Sequence, residues 1–302
     1  MAQPTTLGYI IPVSISLVKQ AMTACMCYTN TMYVGVDIGG TKTFVAVLDD
    51  NGVITERVRF PTPPVYEDFI DELRQQAHQL TPHDFRAGCV GAPGRIDRAH
   101  GIGCDFGNLK WHHVPIQADA ESIFRCPMLV ENDANLGGLS ESMLLPPDKK
   151  VLYVTISTGI GTGFIDRQHI VPELADSEGG HMLLPFQGKR IFWESFASGH
   201  AIVRRFGKKA ADITDKTIWH RIAHDLALGF IELIAIAQPD IIVIGGGVGS
   251  YFERFEPYLM YELQQYKTPL VRLPVLRKAA RPEDAVLYGC YDLAHGAYGS
   301  DT

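Results

Sequence analysis

Two stretches of this chain repeat one pattern, a run of apolar and β-branched residues that leads directly into a turn rich in Gly and Thr. The first is YVGVDIGGTKTF at residues 33–44, and the second is VLYVTISTGIGTGF at residues 151–164. Each run predicts a buried strand. Glycine lets the backbone of the turn approach a ligand closely, and threonine adds hydroxyl donors. The two stretches therefore indicate one structural device used twice.

The order of predicted elements also divides the chain into two similar halves. The first half predicts a hairpin about the turn sequence DDNG, between strands at 44–49 and 53–60. The other predicted strands are at 33–37, 87–91, 128–130, 151–157, 162–166 and 240–244, and the predicted helices are at 66–80, 115–124, 191–207, 216–237 and 283–296. A strand meander followed by strand–helix units is the ribonuclease-H-like pattern. The sequence therefore predicts an α/β protein of two such domains with a central cleft.

Composition narrows the class of function. The chain has 302 residues, of which 46% are hydrophobic and 20% charged, as in a soluble protein with one large domain or two moderate ones. The net charge of −7 and the absence of a long basic run argue against nucleic acid or an acidic membrane as the main partner. No apolar run is long enough to span a bilayer, and the six cysteines lack disulfide or C-x-x-C spacing. We expect a cytoplasmic protein with reduced thiols.

The first 31 residues differ from the rest of the chain. They contain an apolar segment at 10–18, but Lys19 interrupts it and no basic region precedes it, which disfavours a secretory signal. Met32 comes directly before the first predicted strand. We expect residues 1–31 to be a disordered or dispensable extension, or the product of an upstream start codon.

An acidic residue follows the strand predicted at 128–130. The sequence ENDAN at 131–135 sets Asn132 and Asp133 between that strand and a helix-like segment. Taken alone, Asp133 would more often be a helix N-cap or a turn residue than a catalytic base. A carboxylate at the end of a buried strand is costly unless it has a function or finds partners. The Gly/Thr turns on either side in sequence favour the catalytic interpretation.

Eight short motifs together resemble the ROK family of sugar kinases, which belongs to the actin-like ATPase and hexokinase-type superfamily. They occur in the family's order between residues 33 and 297, at 37–42, 91–94, 108–111, 131–135, 157–163, 178–181, 194–199 and 245–247. No single motif is decisive, but the ordered set is specific. The resemblance implies ATP-dependent phosphorylation of a hexose, with Asp133 accepting the proton of the attacking hydroxyl.

The resemblance assigns the two Gly/Thr turns to the phosphates of ATP. The residues concerned are Gly39, Gly40, Thr41 and Lys42 in the first turn and Thr158, Gly159 and Gly161 in the second. Asp37 is implied to lie near Mg²⁺. The first turn is not a Walker A loop, because Thr41 stands where that motif has its lysine. Without the resemblance, each turn is as consistent with a hairpin or a flexible glycine loop.

A third glycine cluster, at 245–247, follows the strand predicted at 240–244. The resemblance implies that Gly246 and Gly247 lie beside the adenosine. A dinucleotide fingerprint fails here, because Ser250 occupies its third glycine position. Close packing of a strand on a helix is the structural alternative.

The sugar site implied by the resemblance consists of Asn108, Asn132, Asp133, Glu178, His181 and Glu194. An amide both donates and accepts a hydrogen bond, which suits a hydroxyl. From the residues alone, Asn108 would be a turn residue after glycine. Glu178 and His181 alone are consistent with a metal pair or with a solvated loop.

Zinc is not expected, although the family's matching histidine binds it. The family's other zinc ligands come from a C-x-C-G-x-x-G-C-x-E loop. This chain has no cysteine between Cys126 and Cys290, and Phe192 stands where the last cysteine would be. The segment at 170–177 also departs from the family's G-x-A-G pattern, and so the sugar specificity stays open.

The combined prediction is an ATP-dependent kinase that is glucokinase-like and acts on the 6-hydroxyl of a hexose. Residues 32–134 with 283–297 are assigned to a small N-terminal α/β domain, and residues 135–282 to a larger C-terminal one. Polyphosphate as donor, and N-acetylmannosamine or fructose as acceptor, stay open, as does assembly into a homodimer. A sugar-sensing regulator is the alternative class, but residues 1–31 are too short and too poor in Lys and Arg for a DNA-binding domain.

Overall fold

The computed structural model describes residues 32–81 and 84–299. The extension predicted at residues 1–31 lies outside them, and that prediction remains untested. Across the described residues, no helix is both long enough and apolar enough to cross a lipid bilayer.

The first of two large sheets has five strands in the order β3-β2-β1-β4-β8. Their bounds are β1 Tyr33–Ile38, β2 Lys42–Leu48, β3 Ile54–Pro61, β4 Ala87–Ala92 and β8 Met128–Asn132. Strand β1 is antiparallel to β2 and parallel to β4, and β4 is parallel to β8. The predicted meander and the strands that follow it are confirmed.

Two helices cover the first sheet, α1 (Tyr66–Ala77) and α2 (Ile116–Phe124). Their apolar faces bury Phe69 and Phe124 in one core with Val34 and Val36 of β1. Helix α1 ends at Ala77, earlier than the predicted end at residue 80. This packing fixes the central strand β1, whose carboxyl end carries the first Gly/Thr turn.

A small sheet that was not predicted lies between β4 and α2 in sequence. It contains β5 (Arg95–Asp97), β6 (Ile102–Phe106) and β7 (Leu109–Val114), in that order. Gly94 and Gly107, before β5 and β7, have φ of 89° and 58°, a backbone region that favours glycine. These strands read RID, IGCDF and LKWHHV, which contain too few apolar and β-branched residues to give a strand signal.

The second large sheet repeats the first, in the order β11-β10-β9-β14-β15. Its bounds are β9 Lys150–Ile156, β10 Ile160–Asp166, β11 His169–Ile170, β14 Ile241–Gly245 and β15 Val275–Lys278. Strand β9 is antiparallel to β10 and parallel to β14, as β1 is to β2 and β4. The repeated topology confirms two ribonuclease-H-like units.

The remaining elements belong mostly to the second half. The helices are α3 Asp133–Ser142, α4 Glu194–Ala197, α5 Gly199–Phe206, α6 Lys216–Ala237, α7 Gly246–Gly249, α8 Phe252–Gln264 and α9 Ala285–Tyr298. A two-stranded hairpin, β12 (Leu183–Phe186) with β13 (Lys189–Phe192), precedes α4. Helix α6 matches its prediction, whereas α8 and the hairpin were not predicted.

The single helix predicted at 191–207 is wrong. Its first residues belong to β13, and the rest is divided into α4 and α5 at Ser198. The backbone of Ser198 is extended, and its hydroxyl accepts the N–H of Ala201 at 3.2 Å, which makes it the N-cap of α5. Serine favours caps over helix interiors, and this preference starts a new helix here.

Helices α3 and α9 pack against each other between the two sheets. Gly289 permits the close approach, because a Cβ there would lie 2.1 Å from the Leu136 carbonyl oxygen. Helix α9 also contacts β1 and β4, and α3 contacts β9 and β10. The domain boundaries proposed from the sequence remain a prediction.

Candidate active site

Asp133 is the first residue of α3, directly after β8. The N-cap of this helix is Asn132, whose side-chain oxygen accepts the N–H groups of Ala134 at 2.9 Å and Asn135 at 3.3 Å. One oxygen of Asp133 also accepts the Ala134 N–H, at 2.8 Å. Because Asn132 caps the helix, the simple capping role considered for Asp133 is filled by its neighbour.

A second carboxylate shares the space around Asp133. Asp37 lies one residue before the end of β1. Burial raises the pKa of Asp37 to about 7, and the negative charge of Asp133 adds to the rise, while Arg57 and Lys42 oppose it. Burial also raises the pKa of Asp133. The fold therefore brings together two desolvated carboxylates, Asp37 from β1 and Asp133 from the start of α3.

The first Gly/Thr turn is closed by its own backbone and by Thr62. The N–H of Gly39 donates to the Lys42 carbonyl at 3.0 Å, and the Thr62 hydroxyl donates to the Gly39 carbonyl at 2.7 Å. A Cβ on Gly39 would lie 2.8 Å from the Lys42 carbonyl oxygen. Gly40, Thr41 and Lys42 are exposed. Hydrogen bonds thus fix the base of the turn, while its outer residues are accessible to a ligand.

The second turn is held from the side of α4 and α5. The N–H of Ser157 donates to the Gly159 carbonyl at 2.9 Å, and the N–H of Gly199 donates to the Ser157 carbonyl at 2.7 Å. Glu194 accepts the N–H of Ile160 at 3.2 Å. Thr158 at the tip is exposed.

The second turn also meets the start of α3. A Cβ on Gly161 would lie 3.1 Å from the Cβ of Ala134. Since Ala134 follows Asp133, the turn and the carboxylate are neighbours. Gly163, further along the same strand, would bring a Cβ within 2.5 Å of the Ala134 carbonyl oxygen. Glycine is required here because the strand passes directly over the helix start.

Gly246 and Gly247 begin α7 at the end of β14. Gly246 has φ of 78°, and a Cβ there would lie 2.6 Å from the carbonyl oxygen of Ile156, the last residue of β9. This close contact bears out the packing alternative. Gly247 is exposed with open space beside it, which leaves room for a ligand next to the second turn.

Three of the residues assigned to the sugar, Glu178, His181 and Glu194, lie near one another and near Asp133. His181 Nε2 lies 3.4 Å from Glu194 Oε1, and the imidazole ring is 5.1 Å from the ring of Phe192. Partial desolvation raises the pKa of Glu178; His181 opposes the rise, and the charges of Asp133 and Glu194 add to it. Glu178 is therefore close enough to Asp133 and Glu194 for their charges to act on it.

Asn108 and Asn132 occupy different surroundings. Asn108 is exposed, and its Cβ is 3.7 Å from the position of a Cβ on Gly40, which puts it beside the first turn. The Asn132 amide nitrogen donates to the Gly94 carbonyl at 3.1 Å, while its oxygen caps α3. One N–H of Asn132 is left for a sugar hydroxyl.

Metal ligation was considered for Glu178 and His181. Residues 32–81 and 84–299 contain no group of three His, Cys, Asp or Glu side chains arranged to hold a metal ion. The four cysteines in these ranges are unpaired thiols. The sequence-based expectation of no zinc remains a prediction.

Two residues of the site were missed from the sequence. Thr62 anchors the first turn, and Arg98 forms an ion pair with the buried Glu131 of the ENDAN motif at 2.5 Å. Arg98 lies 33 residues from Glu131 in sequence and belongs to no motif. Only the folded arrangement brings it to the site.

Comparison with known proteins finds a family and relatives that match most of this chain. The model of the ROK family matches residues 33–297. The chain is 30% identical to a putative fructokinase of Bacillus subtilis over 250 residues, covering 75% of this chain and 82% of that protein. It is 31% identical to a glucokinase of Streptomyces coelicolor over 264 residues, with coverage of 72% and 82%.

A solved structure extends the similarity to three dimensions. The ROK family glucokinase from Streptomyces griseus, in complex with glucose and AMPPNP, superimposes with a TM-score of 0.75 at 26% identity. The match covers 88% of this chain and 99% of that one. With the family motifs in order and the two-unit fold shared, this chain belongs to the ROK family.

Proposed function

We propose that this protein is an ATP-dependent hexose kinase that phosphorylates the 6-hydroxyl, with glucose as the first candidate substrate. The observation that carries the proposal is the desolvated carboxylate of Asp133 at the start of α3, beside the second Gly/Thr turn and electrostatically coupled to Asp37 next to the first. The similarity to glucokinases supports the same activity.

Asp133 is proposed as the general base. Its carboxylate would accept the proton of the sugar hydroxyl as that oxygen attacks the γ-phosphorus. Burial raises the pKa of Asp133 and so brings it nearer to neutral pH, which suits a base. Such a base contributes roughly 10²–10⁴-fold, and alignment of the reactants supplies much of the remaining acceleration.

The two turns are proposed to hold the phosphates. The exposed residues Gly40, Thr41 and Thr158 would supply backbone N–H groups, and the hydroxyls of Thr41 and Thr158 and the Lys42 ammonium would supply further donors. Gly247 leaves room for the nucleoside next to the second turn, and Gly246 lets the backbone pass close to β9 there. Closing water out of this space would prevent hydrolysis of ATP.

Mg²⁺ fits the donor set near Asp37. Burial and the negative charge of Asp133 make ionisation of Asp37 costly, and a cation at this site would stabilise the ionised form. Mg²⁺ usually keeps several waters and takes only one or two protein carboxylates together with substrate phosphates, so Asp37 is sufficient as the protein ligand. When bound, the ion would neutralise charge on the transferred phosphoryl group.

The sugar is proposed to lie among Asn108, Asn132, Glu178, His181 and Glu194. Glu194 is already anchored by the Ile160 N–H, and its second oxygen faces His181. Fructose is the second candidate, because a putative fructokinase is among the most similar relatives.

The test is a coupled-enzyme screen of the full-length protein against glucose, fructose and N-acetylmannosamine, each with ATP and with polyphosphate. Glucose with ATP is expected to give the highest kcat/KM. Asp133→Asn is the matched variant, and its kcat is expected to fall by about 10²–10⁴-fold with little change in sugar binding. Turnover that needs no sugar, or a variant with nearly full kcat, would overturn the proposal.

A further inference from the structure

Arg98 directly follows β5 and reaches the buried Glu131 at the end of β8. Its Nε donates to Glu131 Oε2 at 2.7 Å, and its Nη2 donates to Oε1 at 2.5 Å. The Glu131 side chain is only 6% exposed. A carboxylate buried to this extent is costly without a charged partner, and the two-pronged geometry is one that arginine alone provides.

Glu131 in turn fixes the start of α3. Its Oε1 accepts the backbone N–H of Asn132 at 2.7 Å and the side-chain amide of Asn135 at 2.9 Å. Asn132 is the N-cap and Asp133 is the next residue. Arg98 is therefore connected through Glu131 to the backbone of Asn132, which directly precedes the proposed base.

The other edge of the same guanidinium contacts the segment before Glu178. Nη1 of Arg98 donates to Asp176 Oδ1 at 2.5 Å, and Nη2 donates to the Ala175 carbonyl at 3.1 Å. The Asn135 amide donates to that same carbonyl at 2.8 Å. One side chain from the first unit thus joins the base-bearing junction to the segment that leads into the proposed sugar pocket.

The two arms of Arg98 differ in burial. The Asp176 side chain is 61% exposed, and an ion pair at such a position contributes little to stability. The Arg98–Asp176 pair is expected to affect the position of the segment at 175–178 more than folding. The buried Arg98–Glu131 pair supports both the position of that segment and folding.

We propose that Arg98 is a positioning residue that fixes the relative position of Asp133 and the sugar-binding segment at 175–178. The inference rests on the proposed kinase function. It assigns Arg98 no contact with substrate. Misplacement of reacting groups by about 1 Å can cost up to 10²-fold in rate, so loss of the fork should reach the chemistry.

The test uses two variants of the full-length protein and one matched control. Arg98→Lys keeps the charge but cannot form the fork, and it is expected to lower kcat by about tenfold and raise the sugar KM, with the ATP KM unchanged. Asp176→Asn removes only the exposed arm and should raise the sugar KM a few-fold at constant kcat. Arg74→Lys, in the exposed Arg74–Asp71 pair at 2.8 Å, should change none of these.

The outcomes distinguish failure of the proposed kinase function from failure of the proposed role of Arg98. A wild-type protein that phosphorylates no sugar would overturn the proposed function and this role with it. An active wild type with kcat and sugar KM of Arg98→Lys within twofold of normal would overturn the role alone. A variant that loses melting temperature and active fraction with both KM values unchanged would show a purely structural ion pair. If Arg98→Lys fails to fold, an unchanged sugar KM in Asp176→Asn contradicts the proposal.

Discussion

The two Gly/Thr turns stand on equivalent central strands, yet their acidic partners come from different places. In the first turn the acid is Asp37, within β1 and one residue before its end. In the second, the equivalent residue of β9 is Thr155, and the acid Glu194 comes from α4 and accepts the N–H of Ile160. The two backbones are alike, but the carboxylate beside the first turn comes from its own strand, whereas the carboxylate beside the second turn comes from α4.

This difference separates two kinds of chemistry. A carboxylate inside a strand is desolvated, and the pKa of Asp37 rises to about 7, so it is suited to meet a cation. Glu194 reaches the second turn from α4, and its Oε1 lies 3.4 Å from His181 Nε2. This oxygen is suited to accept hydrogen bonds from hydroxyl groups. A duplicated unit can therefore acquire two functions by changing one side chain next to the strand end.

Of the acids beside the two turns, Asp37 is predicted to show the larger effect, in Asp37→Asn. Loss of this charge should lower kcat by about 10²-fold, the scale seen when one preorganised electrostatic group is removed. Steady-state kinetics over a range of Mg²⁺ concentrations would measure it. The matched variant Thr155→Val should cost about fivefold or less, as for a neutral hydrogen bond. Equal losses in the two variants would break the comparison.

A smaller and more selective effect is predicted for Glu194→Gln. A neutral amide accepts weaker hydrogen bonds than a carboxylate, so the sugar KM should rise by roughly tenfold. The apparent affinity for ATP should stay nearly constant, which a nucleotide titration would check. If ATP binding fell while the sugar KM did not change, Glu194 would belong to the phosphate side.

The smallest effect is predicted for two glycines that differ in their packing, Gly163 near the second turn and Gly40 in the first. Gly163→Ala should lower the free energy of unfolding by about 1–3 kcal/mol, because its Cβ would lie 2.5 Å from the Ala134 carbonyl oxygen. Gly40→Ala should cause no loss of stability, because its Cβ would find only the Asn108 Cβ at 3.7 Å. Urea denaturation of both variants would measure the difference. A stable Gly163→Ala would show that the strand can move away from α3.

Much of the fold was predictable because its strands are strongly apolar and its turns carry clear signals. The second sheet was anticipated from β9, β10 and β14, whose residues are mostly buried. The small sheet at 95–114 was missed, since its strands are rich in polar residues and glycine and are separated by glycine turns. The helix predicted at 191–207 ignored the capping preference of Ser198.

The site was predictable only where its residues form local motifs. Asp133 and Asn132 follow a strand and precede a helix, and this order is visible in the sequence. The contacts of Arg98 span 33 residues to Glu131 and 78 to Asp176. No local pattern encodes contacts at that separation, and they appear only when β5, β8 and the segment before Glu178 are folded together.

The position of α9 limits how far the first sheet can fold during translation. This helix buries Leu287, Cys290 and Ala294 and packs on β1 and β4, which are synthesised long before it. One face of the first sheet must therefore stay uncovered until residues 285–298 have been synthesised. Ribosome-bound chains that stop before α9 are expected to expose this apolar face to proteases and chaperones, in contrast to domains that fold as they emerge. Pulse proteolysis of chains stalled before and after residues 285–298 would reveal it.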